Sequence, residues 1–222
     1  MSSERFRKTI GIVGGAGPMA SAYLYQTILR VCQKEYDSND YNEFPQIVLI
    51  SYPFARGNPD KIQSDLADCV KKLQQAQAGV VGLACNSFHG HLPDLSGVEF
   101  VHLIHESINQ ALSSGIRKAL ILSAPKTIDM GLYEGRGVEC IYPSESDQAK
   151  VTGIIREIAN GRVCQEQADI LKQVILNSGF TEGVILACTE LPLVHLAYPL
   201  SDGRPVIDTV EVLARSLVRA AH

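Results

Sequence analysis

The 222-residue sequence is most informative at first through what it lacks. No apolar run approaches the roughly 18 residues that a membrane-spanning helix needs. The first eight residues, Met1 to Lys8, are polar and charged, with neither the apolar stretch nor the cleavage site of a secretory signal, so a cytoplasmic protein is expected. No block of lysine and arginine interrupts a formal net charge of -4, which leaves nucleic acid without an electrostatic footprint. No Cys-x-x-Cys pair or His-Glu-x-x-His helix is present to complete a zinc site, although His89, His91, His102 and His105 cluster in sequence. Nor does a low-complexity linker divide the chain. What remains is an enzyme or binding protein acting on a small molecule.

The apolar residues are organised in alternation. Short runs rich in β-branched residues occur at Thr9 to Val13, Gln46 to Ser51, Gly79 to Ala84, Phe100 to Ile104, Ala119 to Ser123, Val138 to Tyr142, Gly183 to Ala187 and Pro205 to Ile207. Helical patterns lie between them, which is the βαβ signature of parallel sheets. After the start signal Asn58-Pro59, the spacing of Ile62, Leu66, Cys69, Val70 and Leu73 predicts a helix from about Asp60 to Ala78. A second is expected from Gln165 to Asn177, ahead of Gly179, and a third from Thr209 to Ala221. The expected fold is α/β, with two pseudo-symmetric parallel-sheet lobes and an active site in the cleft between them. Residues 1–105 form the first lobe and residues 106–204 the second, with a C-terminal helix in 205–222 packing back on the first.

Six cysteines in a reducing compartment are thiols, serving either packing or chemistry. Cys32, Cys69, Cys140 and Cys164 lie in helical or strand patterns with no polar residues to suggest more, and are read as packing. Cys85 and Cys188 differ. Each ends an apolar strand and opens a polar stretch, Ala84-Cys85-Asn86-Ser87 in the first half and Ala187-Cys188-Thr189-Glu190 in the second. Ligands of open α/β sheets bind at such strand ends. A helix N-terminus there stabilises thiolate and lowers the thiol pKa from about 8.5. Two thiols on opposite sides of a carbon could remove a proton from one face and deliver one to the other.

At these residues the sequence resembles the aspartate/glutamate racemase superfamily, and its aspartate racemase branch more closely. The resemblance rests on Gly14-Gly15-Ala16-Gly17-Pro18 after the first strand, Cys85-Asn86-Ser87-Phe88-His89, and Cys188-Thr189-Glu190-Leu191. Glutamate racemases usually carry His where Glu190 stands. Weaker matches are Thr127 and Tyr133 after the fifth strand and Val206-Ile207-Asp208-Thr209 near the end. The resemblance implies an isomerase without pyridoxal phosphate, metal or other cofactor, in which Cys85 and Cys188 are the two bases. It also implies that Asn86, Ser87 and Thr189 hold the substrate's α-carboxylate and amine, with Gly17 allowing close backbone approach and Thr127 contributing to binding. Glu190 and His89 are expected in support. Arg56, in Tyr52-Pro53-Phe54-Ala55-Arg56, stands where the family places a guanidinium for the distal carboxylate of an acidic amino acid. A second basic residue in some members aligns with neither Arg156 nor Arg162 securely. Dimerisation is common in the resembled family.

Other readings compete. Gly15-x-Gly17-x-x-Ala20 matches the loose dinucleotide fingerprint, but the second strand runs into Tyr52-Pro53-Phe54 without the acidic residue that binds ribose. A non-catalytic two-lobed amino-acid binder would need no thiols. Within the superfamily, maleate isomerase and hydantoin racemase chemistry are the alternatives.

Overall fold

The computed structural model describes residues 6–55 and 57–222, which places Arg56 outside the described residues. Strands β1 (Thr9–Gly14), β2 (Ile47–Ser51), β3 (Ala78–Leu83) and β4 (Glu99–Val101) form one sheet in the order β2-β1-β3-β4. Strands β5 (Lys118–Ser123), β6 (Glu139–Ile141), β7 (Gly183–Ala187) and β8 (Val206–Asp208) form a second in the order β6-β5-β7-β8. Neighbouring strands are parallel throughout, and the two orders are the same. The protein is therefore a two-lobed α/β fold with a repeated topology. Central strands of such sheets are covered on both faces and read as continuous apolar runs, as in β7, where every residue is buried.

The helices α1 (Pro18–Tyr36), α2 (Pro59–Gln75), α3 (Leu103–Ser113), α4 (Pro125–Asp129), α5 (Glu145–Ala159), α6 (Gln165–Asn177), α7 (Leu191–Ala197) and α8 (Thr209–Ala221) cross between the strands or cover them. Local signals set their starts. Proline occupies the first helical position of α1, α2 and α4. Asn58 caps α2 by accepting the Lys61 N–H at 3.1 Å, and Asp208 caps α8 by accepting from Val210 and Glu211. No helix among the described residues is long and apolar enough to cross a membrane.

Two boundaries differ from the periodic reading by more than one residue. The second helix stops at Gln75 rather than Ala78, because Gln77 takes a left-handed conformation (φ 59°) and Ala78 already pairs with Thr9. The fourth strand ends at Val101, and Leu103 and Ile104 belong to α3, whose N-cap His102 accepts the His105 N–H at 3.4 Å. A capping nitrogen ended an apolar run that composition alone would extend.

The largest core cluster takes residues from both sheets, including Ile10 and Ile12 of β1, Ile121 of β5 and Ile185 of β7. Leu213 and Leu217 of α8 join it, and α8 packs against α1, α3 and β3 while its preceding strand β8 belongs to the second sheet. The chain's last elements thus tie the two sheets together. In each sheet the first strand has its successor on one side and its next-but-one strand on the other. Loops leaving the C-terminal ends of such a strand pair diverge and leave a crevice. The two crevices, between β1 and β3 and between β5 and β7, supply the loops of one cleft.

Candidate active site

A cavity of about 610 Å³ lies between the lobes. The loop after β1 reaches it at Ala16, and the loop after β3 brings Cys85, Asn86 and Ser87. From the second lobe come Ala124 and Thr127 after β5, and Cys188, Thr189 and Glu190 after β7. The structure therefore assembles both cysteines, with the polar residues that follow each, around one space. The remaining cysteines lie elsewhere, with Cys32 and Cys69 fully buried and Cys164 preceding α6, where its N–H donates to Gln167 Oε1 at 3.1 Å.

The thiols are not in the acidic state expected from their positions at helix starts. Burial pushes Cys85 up to about 11, against smaller lowering from the Ser87 hydroxyl and from the backbone N–H groups of Ser87 and Phe88. Burial also raises Cys188 well above the ordinary thiol value, and the Glu190 carboxylate adds to it. The Cys188 thiol donates to Glu190 Oε2 at 3.0 Å, and the Thr189 hydroxyl donates to the same oxygen at 3.3 Å. One or two amides at a helix start cannot offset the desolvation of thiolate in a closed crevice with a carboxylate beside it. The segment after Cys85, moreover, is a single 3-10 turn, Ser87–His91, which carries little dipole.

Asn86 is held from the opposite lobe. Tyr133 Oη donates to Asn86 Oδ1 at 2.6 Å, and Asn86 Nδ2 donates to Thr209 Oγ1 at 3.5 Å. The Thr209 hydroxyl spends its own hydrogen on Leu186 O at 2.8 Å, so toward Asn86 it can only accept. This fixes the orientation of the amide and leaves one N–H of Nδ2 for a ligand. Tyr133 is fully buried, and burial raises its pKa, which keeps the phenol a donor. Sequence reading noted Tyr133 only as a weak family match. A contact spanning 47 residues has no local signature. Tyr133→Phe is expected to raise KM more than it lowers kcat, reducing kcat/KM about three- to tenfold, the worth of one buried hydrogen bond. Steady-state kinetics on Tyr133→Phe, Asn86→Ala and the double variant check this, and additive losses would disconnect Tyr133 from Asn86.

The other expected residues fall into distinct places. Thr127 is 2% exposed, lines the cavity, and its hydroxyl finds no partner among the described residues, which suits it to a ligand oxygen. His89 lies behind the site. Its Nδ1 meets the Cys85 carbonyl oxygen at 2.7 Å and its Nε2 accepts the Leu103 N–H at 3.3 Å, so the neutral ring braces the Cys85 turn against α3. Burial pushes His89 down to about 3, in keeping with that neutral ring. Gly17 meets Glu190 rather than open space, since a Cβ at Gly17 would overlap Glu190 Oε1. Gly15, with φ 99°, is pressed against the backbone of Tyr52. Arg156 lines the cavity, whereas Arg162 pairs with Glu157 at 3.1 Å and Glu166 at 3.2 Å away from it. Lys126 also lines the cavity and was missed as a binding candidate. His102 stacks on His105 with ring centroids 3.8 Å apart, and among the described residues no group of three or more His, Cys, Asp or Glu could hold a metal ion.

Comparison with known proteins decides the family. The model of the Asp/Glu/hydantoin racemase family matches residues 13–217, nearly the whole chain. The chain belongs to this family. Racemases are isomerases, and the protein is an enzyme of that class. It is 26% identical to the broad specificity amino-acid racemase RacX of Bacillus subtilis (strain 168), over 94% of this chain and 96% of that protein. Among solved structures, the aspartate racemase homologue from Pyrococcus horikoshii OT3 is 25% identical, with a TM-score of 0.75, covering 96% of this chain and 99% of that one. Picrophilus torridus aspartate racemase shares the racemase fold with a TM-score of 0.79 at 22% identity, covering 96% and 94%.

Proposed function

We propose that the protein is an amino-acid racemase that inverts the α-carbon of an acidic amino acid, aspartate or glutamate, by two-base proton transfer between Cys85 and Cys188. The observation that carries this reading is the meeting of two thiols, from equivalent strand ends of two lobes, on one interlobe cavity. One cysteine as thiolate takes the α-proton. The electron pair of the broken C–H bond passes to the α-carbon and its carboxylate as an enediolate. The other cysteine, as thiol, gives its proton to the opposite face, and solvent exchange resets the pair. Glu190 holds the proton on Cys188, so Cys188 is the acid of the resting pair and Cys85 its base. Asn86, Ser87, Thr127 and Thr189 offer amide and hydroxyl donors to the α-carboxylate, where charge grows as the enediolate forms. The thiol pair supplies both base and acid, and the proposal calls on no cofactor.

The raised thiol pKa values give this mechanism a pH signature. Burial favours the neutral thiol, so at pH 7 little of the free enzyme carries thiolate, and that fraction grows as pH rises toward about 11 for Cys85. We expect kcat/KM to climb about tenfold per unit from pH 7 to 9, the behaviour of a single required ionisation. Initial rates across that range check it, and a flat profile above pH 7 would place a preformed thiolate in the cleft.

The acidic substrate rests on Arg56 by resemblance and on Lys126 and Arg156 in the cavity lining. Arg56→Ala is expected to raise KM for aspartate or glutamate tenfold or more, as loss of a partner to a desolvated carboxylate does. Unchanged kinetics with both acids would remove Arg56 from the site.

A further inference from the structure

The lining of the cleft is not uniform in character. Around the two thiols the lining is polar, with Asn86, Ser87, Thr127, Thr189 and Glu190. The first turn of α2 contributes Pro59 and Ile62 to the same lining, and the 3-10 turn contributes Phe88. Phe88 is held edge-on against Phe54, with ring centroids 5.1 Å apart. Facing them, Thr152, Ile155, Arg156 and Ala159 of α5 line the cavity, spaced as i, i+3, i+4 and i+7 along one helix face. Ile155 and Ala159 therefore lie one turn apart on that wall. The result is an apolar slot between Ile62 and Phe88 on one lobe and Ile155 and Ala159 on the other.

The charges on this lining are poorly placed to dominate it. Lys126 and Arg156 are both exposed, and no cation among the described lining residues is buried. Their fields are screened in part by water and salt, so these two cations attract a side-chain carboxylate without making one a requirement of the cleft. An apolar side chain gains by displacing water from both walls of the slot. A cavity of about 610 Å³ also exceeds what aspartate fills, and lies within the ~300–1,000 Å³ range of pockets for larger ligands. A long, unbranched and flexible chain adapts best to a slot between two flat walls.

We infer that the cleft racemises amino acids with an unbranched apolar side chain of methionine size, as well as acidic ones, and seats that chain between Ile62 and Phe88 and between Ile155 and Ala159. The inference rests on the two-thiol racemase reading. Its test is α-proton exchange in D₂O, followed by proton NMR, with aspartate, glutamate, methionine and norleucine as separate substrates. The Cys85→Ala, Cys188→Ala double variant is the blank. Methionine and norleucine should exchange within about tenfold of the better acidic substrate. Ala159→Phe, which fills the slot, should lower kcat/KM for methionine at least tenfold more than for aspartate. Ile155→Thr, which shortens the side chain and puts a hydroxyl on that wall, should shift the same ratio in the same direction and serves if Ala159→Phe does not fold. Exchange of the acidic substrates without methionine or norleucine overturns this inference and leaves the racemase reading standing. Exchange of none of the four overturns the racemase reading and the inference with it. An unchanged methionine-to-aspartate ratio in both folded variants overturns the placement of the side chain.

Discussion

Replacing either Cys85 or Cys188 by alanine is expected to abolish net racemisation. Each thiol faces the common cavity from its own lobe, so each alanine variant leaves one face of the α-carbon without a proton donor or acceptor. The loss should reach the level of a removed nucleophile or base, roughly 10³-fold or more in kcat. Serine should be nearly as poor, since a hydroxyl is a far weaker acid than a thiol and supplies little base near neutral pH. The surviving thiol can still abstract and return a proton on its own face. In D₂O each single variant should therefore wash deuterium into one enantiomer only, and the two variants should choose opposite enantiomers. Wild-type racemisation by either alanine variant would end the two-base assignment. Both substitutions replace a small side chain in a cavity wall by a smaller one, so the fold should survive and thermal unfolding provides the control.

The second large effect is expected at Glu190. This residue is 8% exposed, and its Oε2 accepts from both Cys188 and Thr189. Glu190→Gln removes the charge that keeps the proton on Cys188 and replaces an acceptor pair with an amide. We expect kcat/KM to fall about a hundredfold, the lower end of what a positioned proton-transfer group contributes. Because racemisation has an equilibrium constant of one, kcat/KM must fall equally in both directions. The rate of deuterium wash-in should not. It should slow more for the enantiomer whose proton Cys188 handles.

Gly17→Ala tests the same contact from the other side. The backbone of Gly17 (φ -136°, ψ 101°) accepts alanine without strain, yet the added methyl group would overlap Glu190 Oε1. Activity should drop while the thermal transition moves little, and the loss should not add to that of Glu190→Gln, since both displace one carboxylate. A Gly17→Ala enzyme with wild-type rates would show that Glu190 moves without consequence, and its proposed hold on Cys188 would fall.

Much of this site was legible because its residues sit in local contexts that repeat. Cys85 and Cys188 each close an apolar run and open a polar one, and in a parallel sheet that transition occurs at the C-terminal edge, where the cleft is. The state of the thiols was not legible. Helix-start geometry lowers a thiol pKa and burial raises it, and the second effect depends on the opposite lobe closing over the first, which no spacing in either half records. Gly17 illustrates the same limit. Its absence of a side chain marked a close approach, but that Glu190, 173 positions later, borders it was not legible. The contrast between Arg156 and Arg162 falls between these cases. The period of α5 puts Thr152, Ile155, Arg156 and Ala159 on one face, but only the position of the opposing lobe shows that this face borders the cavity.

By itself the sequence determined the alternation of strand and helix, the starts of α2 and α8, and the two polar turns bearing Cys85 and Cys188. These follow from interactions within a few residues, such as side-chain caps, proline at a first turn, and the two- or 3.6-residue periods of a buried face. The tertiary structure decided which polar groups meet: Tyr133 and Thr209 on Asn86, Glu190 under Gly17, and an apolar slot between α2 and α5. Those pairings join residues distant in the chain and are set by how two lobes pack on a shared core. They control desolvation and hydrogen-bond supply at the thiols, and so the protonation states on which the chemistry turns.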